Sequence, residues 1–156
     1  MKKFITKAAV TFMAFTSLLF AGAAVSSNNN SAHADTISQF DTVYSLAKEQ
    51  LGTPYVYGAT GNGGFDCSGF TSYIYKNSLG VTLPRTAQEQ YYASTKVSRA
   101  NLQKGDLVFF GATKSSIFHV GMYIGGGKMI DAQNRGVVRE KIHTPWWHVV
   151  GYGRVA

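Results

Sequence analysis

"HVGMYIGGGKMIDA", residues 119–132, reads as two strands joined by a tight turn. Side chains alternate across a strand, so His119, Gly121 and Tyr123 face one side and Val120, Met122 and Ile124 the other. In the second arm Ile130 and Ala132 join the apolar side, which leaves Asp131 on the side of His119. "GGGK", residues 125–128, lacks the full phosphate-loop pattern and reads as a hairpin turn, so nucleotide binding has little support. Gly121 is expected to leave open space beside the His119 ring.

Working outward, the same strand signals recur in "DLVFF" (106–110), "GVVREKI" (136–142) and "VVGYGRV" (149–155), separated by glycine and polar turns. The N-terminal half reads differently. Phe40, Tyr44, Ala47 and Leu51 recur at helical spacing, which predicts a helix over 35–51 ended by Gly52 and Pro54. "YVYGATGNGG" is a glycine-rich loop. Asp66 is a preferred N-cap residue for a second helix running to Leu79, with Phe70, Tyr73, Ile74 and Tyr75 as apolar positions and Gly80 as its stop. Thr86 and Glu89 have the spacing of a capping box for a short third helix. Helices first and closely spaced strands afterwards imply an α+β fold, with N-terminal helices packed on an antiparallel sheet of about five strands.

The N-terminus has the pattern of an export signal. Lys2, Lys3 and Lys7 precede an apolar run from Ala8 to Val25, and Ala32-His33-Ala34 fits the small-x-small cleavage rule. Residues 1–34 are therefore read as a signal peptide and 35–156 as one domain, exported rather than stably anchored in a membrane. The full chain carries a net charge of +7. Loss of three lysines with the leader reduces this to +4, which suits an anionic extracellular polymer or simple solubility. The basic residues are scattered, so no nucleic-acid partner is implied. One cysteine and scattered histidines give no metal-ligand spacing, and no metal or other cofactor is expected.

The single cysteine, Cys67, lies in "GGFDCSGF" (63–70). A lone thiol in an exported chain can be an intermolecular staple, a buried inert group or a reactive nucleophile. Its place after the Asp66 cap puts it in the first turn of a helix, where the backbone partial charge favours thiolate, and the loop-end position is expected to expose it. A reactive thiol needs a base and an orienting group. His119 is a candidate base with Asp131 as its orienter. His143 and His148 are rivals for the base, although "HTPWWH" (143–148) looks more like the wall of a cleft.

"PYVYGATGNGGFDCSGF", "LPRTAQEQ", "KGDLVFF", "HVGMYIG" and "MIDAQNRGVV" together resemble the NlpC-type (p-sixty-like) bacterial cell-wall peptidase domain over about residues 38–156. The resemblance implies a papain-like fold and a cysteine peptidase that cuts peptidoglycan stem peptides, usually between D-γ-glutamate and the diamino acid. By position it implies Cys67 as nucleophile, His119 as general base and Asp131 at the third polar position, where histidine is commoner. It implies Tyr55 as an oxyanion-hole donor beside the Cys67 N–H, and Asp66, Ser68 and Arg85 as residues of the substrate cleft. Tyr55 also reads as a packing aromatic, Asp66 as a helix cap and Arg85 as a solvated loop charge. A CHAP-type amidase and an inactive wall-binding domain are the alternative functions. A reduced monomer is expected.

Overall fold

The computed structural model describes residues 28–155, with side chains from Gln39 onward. The apolar run Ala8–Val25 of the expected leader lies outside the described residues. Helix α1 (Asn28–Glu49) is followed by a small hairpin, β1 (Thr60–Gly61) and β2 (Gly64–Phe65). Helices α2 (Cys67–Leu79) and α3 (Ala87–Ala93) come next, then β3 (Thr95–Val97) and a single 3₁₀ turn, Arg99–Asn101. The chain ends in β4 (Leu107–Thr113), β5 (Ser116–Gly125), β6 (Lys128–Gln133), β7 (Gly136–Lys141) and β8 (Val149–Arg154).

The main sheet is antiparallel with order β3-β8-β4-β5-β6-β7. It has six strands where five were expected. The extra one, β3, is a three-residue edge strand whose exposed Thr95 and Lys96 leave no apolar alternation to read. Pairing with β8 alone defines it.

The helix ends follow from their capping residues. Asp66 caps α2 by accepting from the Gly69 N–H, and Gly80 ends it in the left-handed region at φ 72°, its N–H bonded to the Lys76 carbonyl. Thr86 and Glu89 form the complete capping box of α3. Helix α1 differs from expectation. It starts at Asn28 rather than Asp35, and its buried stripe is centred on Val43 and Ala47. Phe40 and Tyr44 are half-buried and stack on each other at 5.2 Å, whereas Leu51 lies past the helix and is 40% exposed. Gly52, at φ 87°, turns the chain there and gives its N–H to the Val137 carbonyl on β7.

Helix α2 lies against β5 and β6. Phe70 and Ile74 of α2 share a core with Val43 and Ala47 of α1 and with Val120, Met122, Ile130 and Ala132 of the sheet. This is the apolar face that strand alternation predicts. A second cluster, with Val108, Phe110 and Met129 at its centre, is covered by Trp147. Thus the first turn of α2 and the middle of β5 and β6 are held by one core, and these three places carry Cys67, His119 and Asp131.

Candidate active site

Cys67 is the first residue of α2 and only 9% exposed. The expected exposed thiol is therefore a nearly buried one that looks into a cleft. Gly69 makes this position possible. A Cβ on Gly69 would stand 2.1 Å from the Ala59 carbonyl oxygen, which itself accepts the Asp66 N–H at 3.0 Å. Only a glycine lets loop 56–59 fold so tightly over the first turn. The β1–β2 hairpin supports that loop. Asn62 (φ 53°) and Gly63 (φ 98°) form its two-residue turn, both in the left-handed region that this hairpin type requires.

His119 on β5 and Asp131 on β6 are both buried, and Nε2 of the ring lies 2.8 Å from Oδ2 of the carboxylate. Gly121 is not beside an empty space. Its missing Cβ is replaced by Met129 Sδ and the Asp131 Cβ, which would stand 2.8 and 3.0 Å from it. The glycine thus lets the Asp131 stem cross over to reach His119. The Cys67 side chain lies near enough to the ring to favour its charged form.

A bulge aims this ring. Phe110 on β4 pairs with His119, but the next residue, Gly111, pairs with Ile117, so Phe118 is the extra residue on β5. Its carbonyl turns to within 3.9 Å of Cys67 Sγ, and its ring is 61% exposed. Burial pulls the His119 imidazole toward neutrality. The hydrogen bond to Asp131, the contact with Cys67 and the negative charge of both outweigh it, and the ring titrates at about 9. It is therefore an imidazolium at neutral pH.

Asp66 accepts from Gly69 N at 2.7 Å and Gly58 N at 3.0 Å, and is held by Arg85 through both of its oxygens. Burial pushes its carboxyl up, but the Arg85 bond and the two backbone N–H groups win and hold it below the usual range. All its acceptors are engaged in building the loop and the helix start. Ser68 Oγ accepts from Arg85 at 3.0 Å, so Asp66, Ser68 and Arg85 form one unit. Tyr55 bridges to Phe65. Burial, followed by the charge of Cys67 and Asp66, raises its hydroxyl's pKa and keeps it a donor.

Two recesses meet at Tyr55, Cys67 and Phe118. The larger, about 700 Å³, adds His119, Arg135, Glu140, Trp146 and Trp147. The smaller, about 350 Å³, adds Tyr57, Asp66, Ser68 and Arg85. The seven residues that the family resemblance implies thus lie at this site or support it. His143 and His148 do not belong to it. His148 Nδ1 bonds the Gly111 carbonyl at 2.8 Å, and neither histidine lines either recess.

Three residues escaped sequence reading. Gln90, 1% exposed, ties α3 to α2 through Thr71 Oγ1 at 2.8 Å and the Ser68 carbonyl at 3.0 Å. Trp147 stacks on His119, and Glu140 accepts the Trp147 Nε1–H at 2.9 Å. Only the aromatic pair in "HTPWWH" carried a signal, as a cleft wall. Among the described residues, no group of three or more His, Cys, Asp or Glu could hold a metal ion.

A cysteine and histidine in contact, with a carboxylate behind the ring, form a nucleophile–base–orienter line on an α+β scaffold. The model of the NlpC/P60 family matches residues 52–153, which include all three. The chain belongs to the NlpC/P60 family. The endopeptidases and dipeptidyl-peptidases of this family are cysteine peptidases, and the family also includes a non-catalytic domain protein of Mycobacterium tuberculosis. The NlpC/P60 chain is 50% identical over 130 residues to a probable endopeptidase p60 of Listeria grayi, covering 82% of this chain and 25% of that one. It is 44% identical over 109 residues to the gamma-D-glutamyl-L-lysine dipeptidyl-peptidase of Bacillus cereus, covering 67% and 32% respectively. The solved structure of a Bacillus cereus NlpC/P60 family protein superposes with a TM-score of 0.70 at 40% identity, covering 74% of this chain and 39% of that one. The chain spans about a quarter of the length of the Listeria relative and a third of the Bacillus one.

Proposed function

We propose that this chain is an exported peptidoglycan hydrolase, a cysteine endopeptidase that cuts stem peptides at the bond between D-γ-glutamate and the diamino acid. The observation that carries the reading is the Cys67–His119–Asp131 line placed where two recesses meet. The names of the Listeria and Bacillus relatives support the reaction class, and that of the Bacillus relative supports the bond. The Lys2–Lys3–Lys7 start, the apolar run and the Ala32-His33-Ala34 site support export, with residues 1–34 removed and the domain 35–156 acting in the wall as a monomer.

The chemistry follows from the geometry. The Cys67 thiolate, paired with the His119 imidazolium, attacks the amide carbonyl carbon. The carbonyl oxygen becomes an oxyanion, for which the Cys67 N–H and the Tyr55 hydroxyl are the proposed donors. The imidazolium gives its proton to the departing amine, the C–N bond breaks and an acyl-thioester remains. His119 then takes a proton from water, which attacks the thioester and releases a carboxylic acid and the thiolate. Since the leaving amine collects its proton from His119, it must depart on the His119 side. The diamino acid therefore occupies the larger recess, and the acyl part occupies the smaller one beside Arg85.

Digestion of purified wall with the wild type and Cys67→Ala tests this. Mass spectrometry should find new diamino-acid N-termini with the wild type and none with the variant. Free lactyl groups at the sugar would instead assign the amidase chemistry, and no cleavage by the wild type would leave a binding domain.

A further inference from the structure

We propose that Trp147 is a positioning residue of this site: its indole, oriented by Glu140, lies face-on over the His119 ring and holds the imidazole oriented and protonated. The inference rests on the reading of His119 as the base.

The His119 and Trp147 ring centroids are 4.4 Å apart with planes 15° from parallel. The indole is fixed from several directions. Its Nε1–H donates to Glu140 Oε1 at 2.9 Å, and Glu140 Oε2 accepts from Arg135 at 2.9 Å. Phe110 supports it at 5.0 Å, and the Trp147 backbone N–H closes a tight turn on the Thr144 carbonyl. A ring that merely filled space would not need its N–H tied to a carboxylate that is itself only 10% exposed at its side chain. Burial of that carboxylate, then the nearby Asp131 charge, raises the Glu140 pKa, while the Trp147 and Arg135 contacts and the His119 cation lower it.

Two effects of the indole oppose each other. Covering His119 removes water and favours the neutral ring. The negative π-face favours the charged ring, and among aromatic side chains tryptophan does this best. The parallel arrangement within 4.4 Å lets the second effect win. The charged and titratable groups facing His119 are Asp131 from β6, Cys67 from α2 and Glu140 from β7 through the indole, with Arg135 of the β6–β7 turn behind Glu140.

The test is the titration of the His119 ring, followed by NMR of the full chain labelled at histidine, with His119→Gln used to assign the signal. In Trp147→Leu the midpoint should fall by about half a pH unit to one and a half. The alkaline limb of the kcat/KM profile should move down with it, whereas a merely structural role would scale the profile without moving it. Trp147→Phe should give a smaller fall. Glu140→Gln keeps an acceptor for the indole but loses the charge, and should also give a smaller fall. An unchanged midpoint in a folded Trp147→Leu, or in both Trp147→Phe and Glu140→Gln should the leucine variant not fold, overturns the proposal. If the wild type cleaves no wall peptide, the hydrolase reading fails, but the titration still decides the role of Trp147.

Discussion

Asp131 is fully buried, and only one of its two carboxylate oxygens has a partner among the described residues. That partner is the His119 Nε2–H, so the residue's main task is to hold one ring. Asparagine could still accept from that N–H but would bring no charge. Asp131→Asn should therefore keep measurable hydrolysis, with the alkaline limb of its kcat/KM profile moved from near 9 toward the ordinary histidine value of about 6.5. His119→Ala should lose about 100-fold or more, because the proton transfers go with the ring. Activity surviving in His119→Ala but lost in His148→Ala would move the base to a residue that is here tied to a backbone carbonyl. Cys67, His119 and Asp131 could be read from the sequence because strand alternation and a helix cap are local patterns. The support of Glu140 and Trp147 could not, since it depends on a loop folding back over a sheet face.

The first turn of α2 is the element on which the site depends. Its carbonyl neighbour at Ala59 leaves no room for a methyl group on Gly69, so Gly69→Ala must push loop 56–59 away or tilt the helix. A loss of about 1–3 kcal/mol in denaturant unfolding is expected, as for other overpacked sites. Hydrolysis should fall further than stability, because the same shift moves Cys67 away from His119. An alanine variant with unchanged midpoint and rate would show that the loop yields freely. Helix α2 was legible to within a residue through Asp66 and Gly80, and the start of α3 through the Thr86–Glu89 box. Strands β4 to β8 were legible as short apolar runs between glycine and polar turns, with alternation readable in β5 and β6. The β1–β2 hairpin was read only as a glycine-rich loop, because two-residue strands show no period and its Asn62-Gly63 turn was the only local mark. The bulge at Phe118 also had no signature, since register against β4 is a long-range property.

At the scale of the whole molecule, a buried charge couples the site to folding. His119 titrates at about 9 in the folded protein, above the ordinary 6.5, so the fold binds its proton more tightly than the unfolded chain does. The sign follows by linkage. The contribution to stability is fully present below about pH 6.5 and is lost as pH rises through about 9. Its size is on the order of 3 kcal/mol, a large fraction of what a domain of this size has to spare. His119→Gln removes the titrating group while keeping a polar side chain of similar size. The stability of the wild type, measured by urea unfolding from pH 6 to 10, should fall between 6.5 and 9 more steeply than that of His119→Gln, and the two curves should run parallel above about 10. Curves parallel across the whole range would mean that the proton is no more tightly held in the fold than outside it. The thiolate–imidazolium pair would then have no structural basis here.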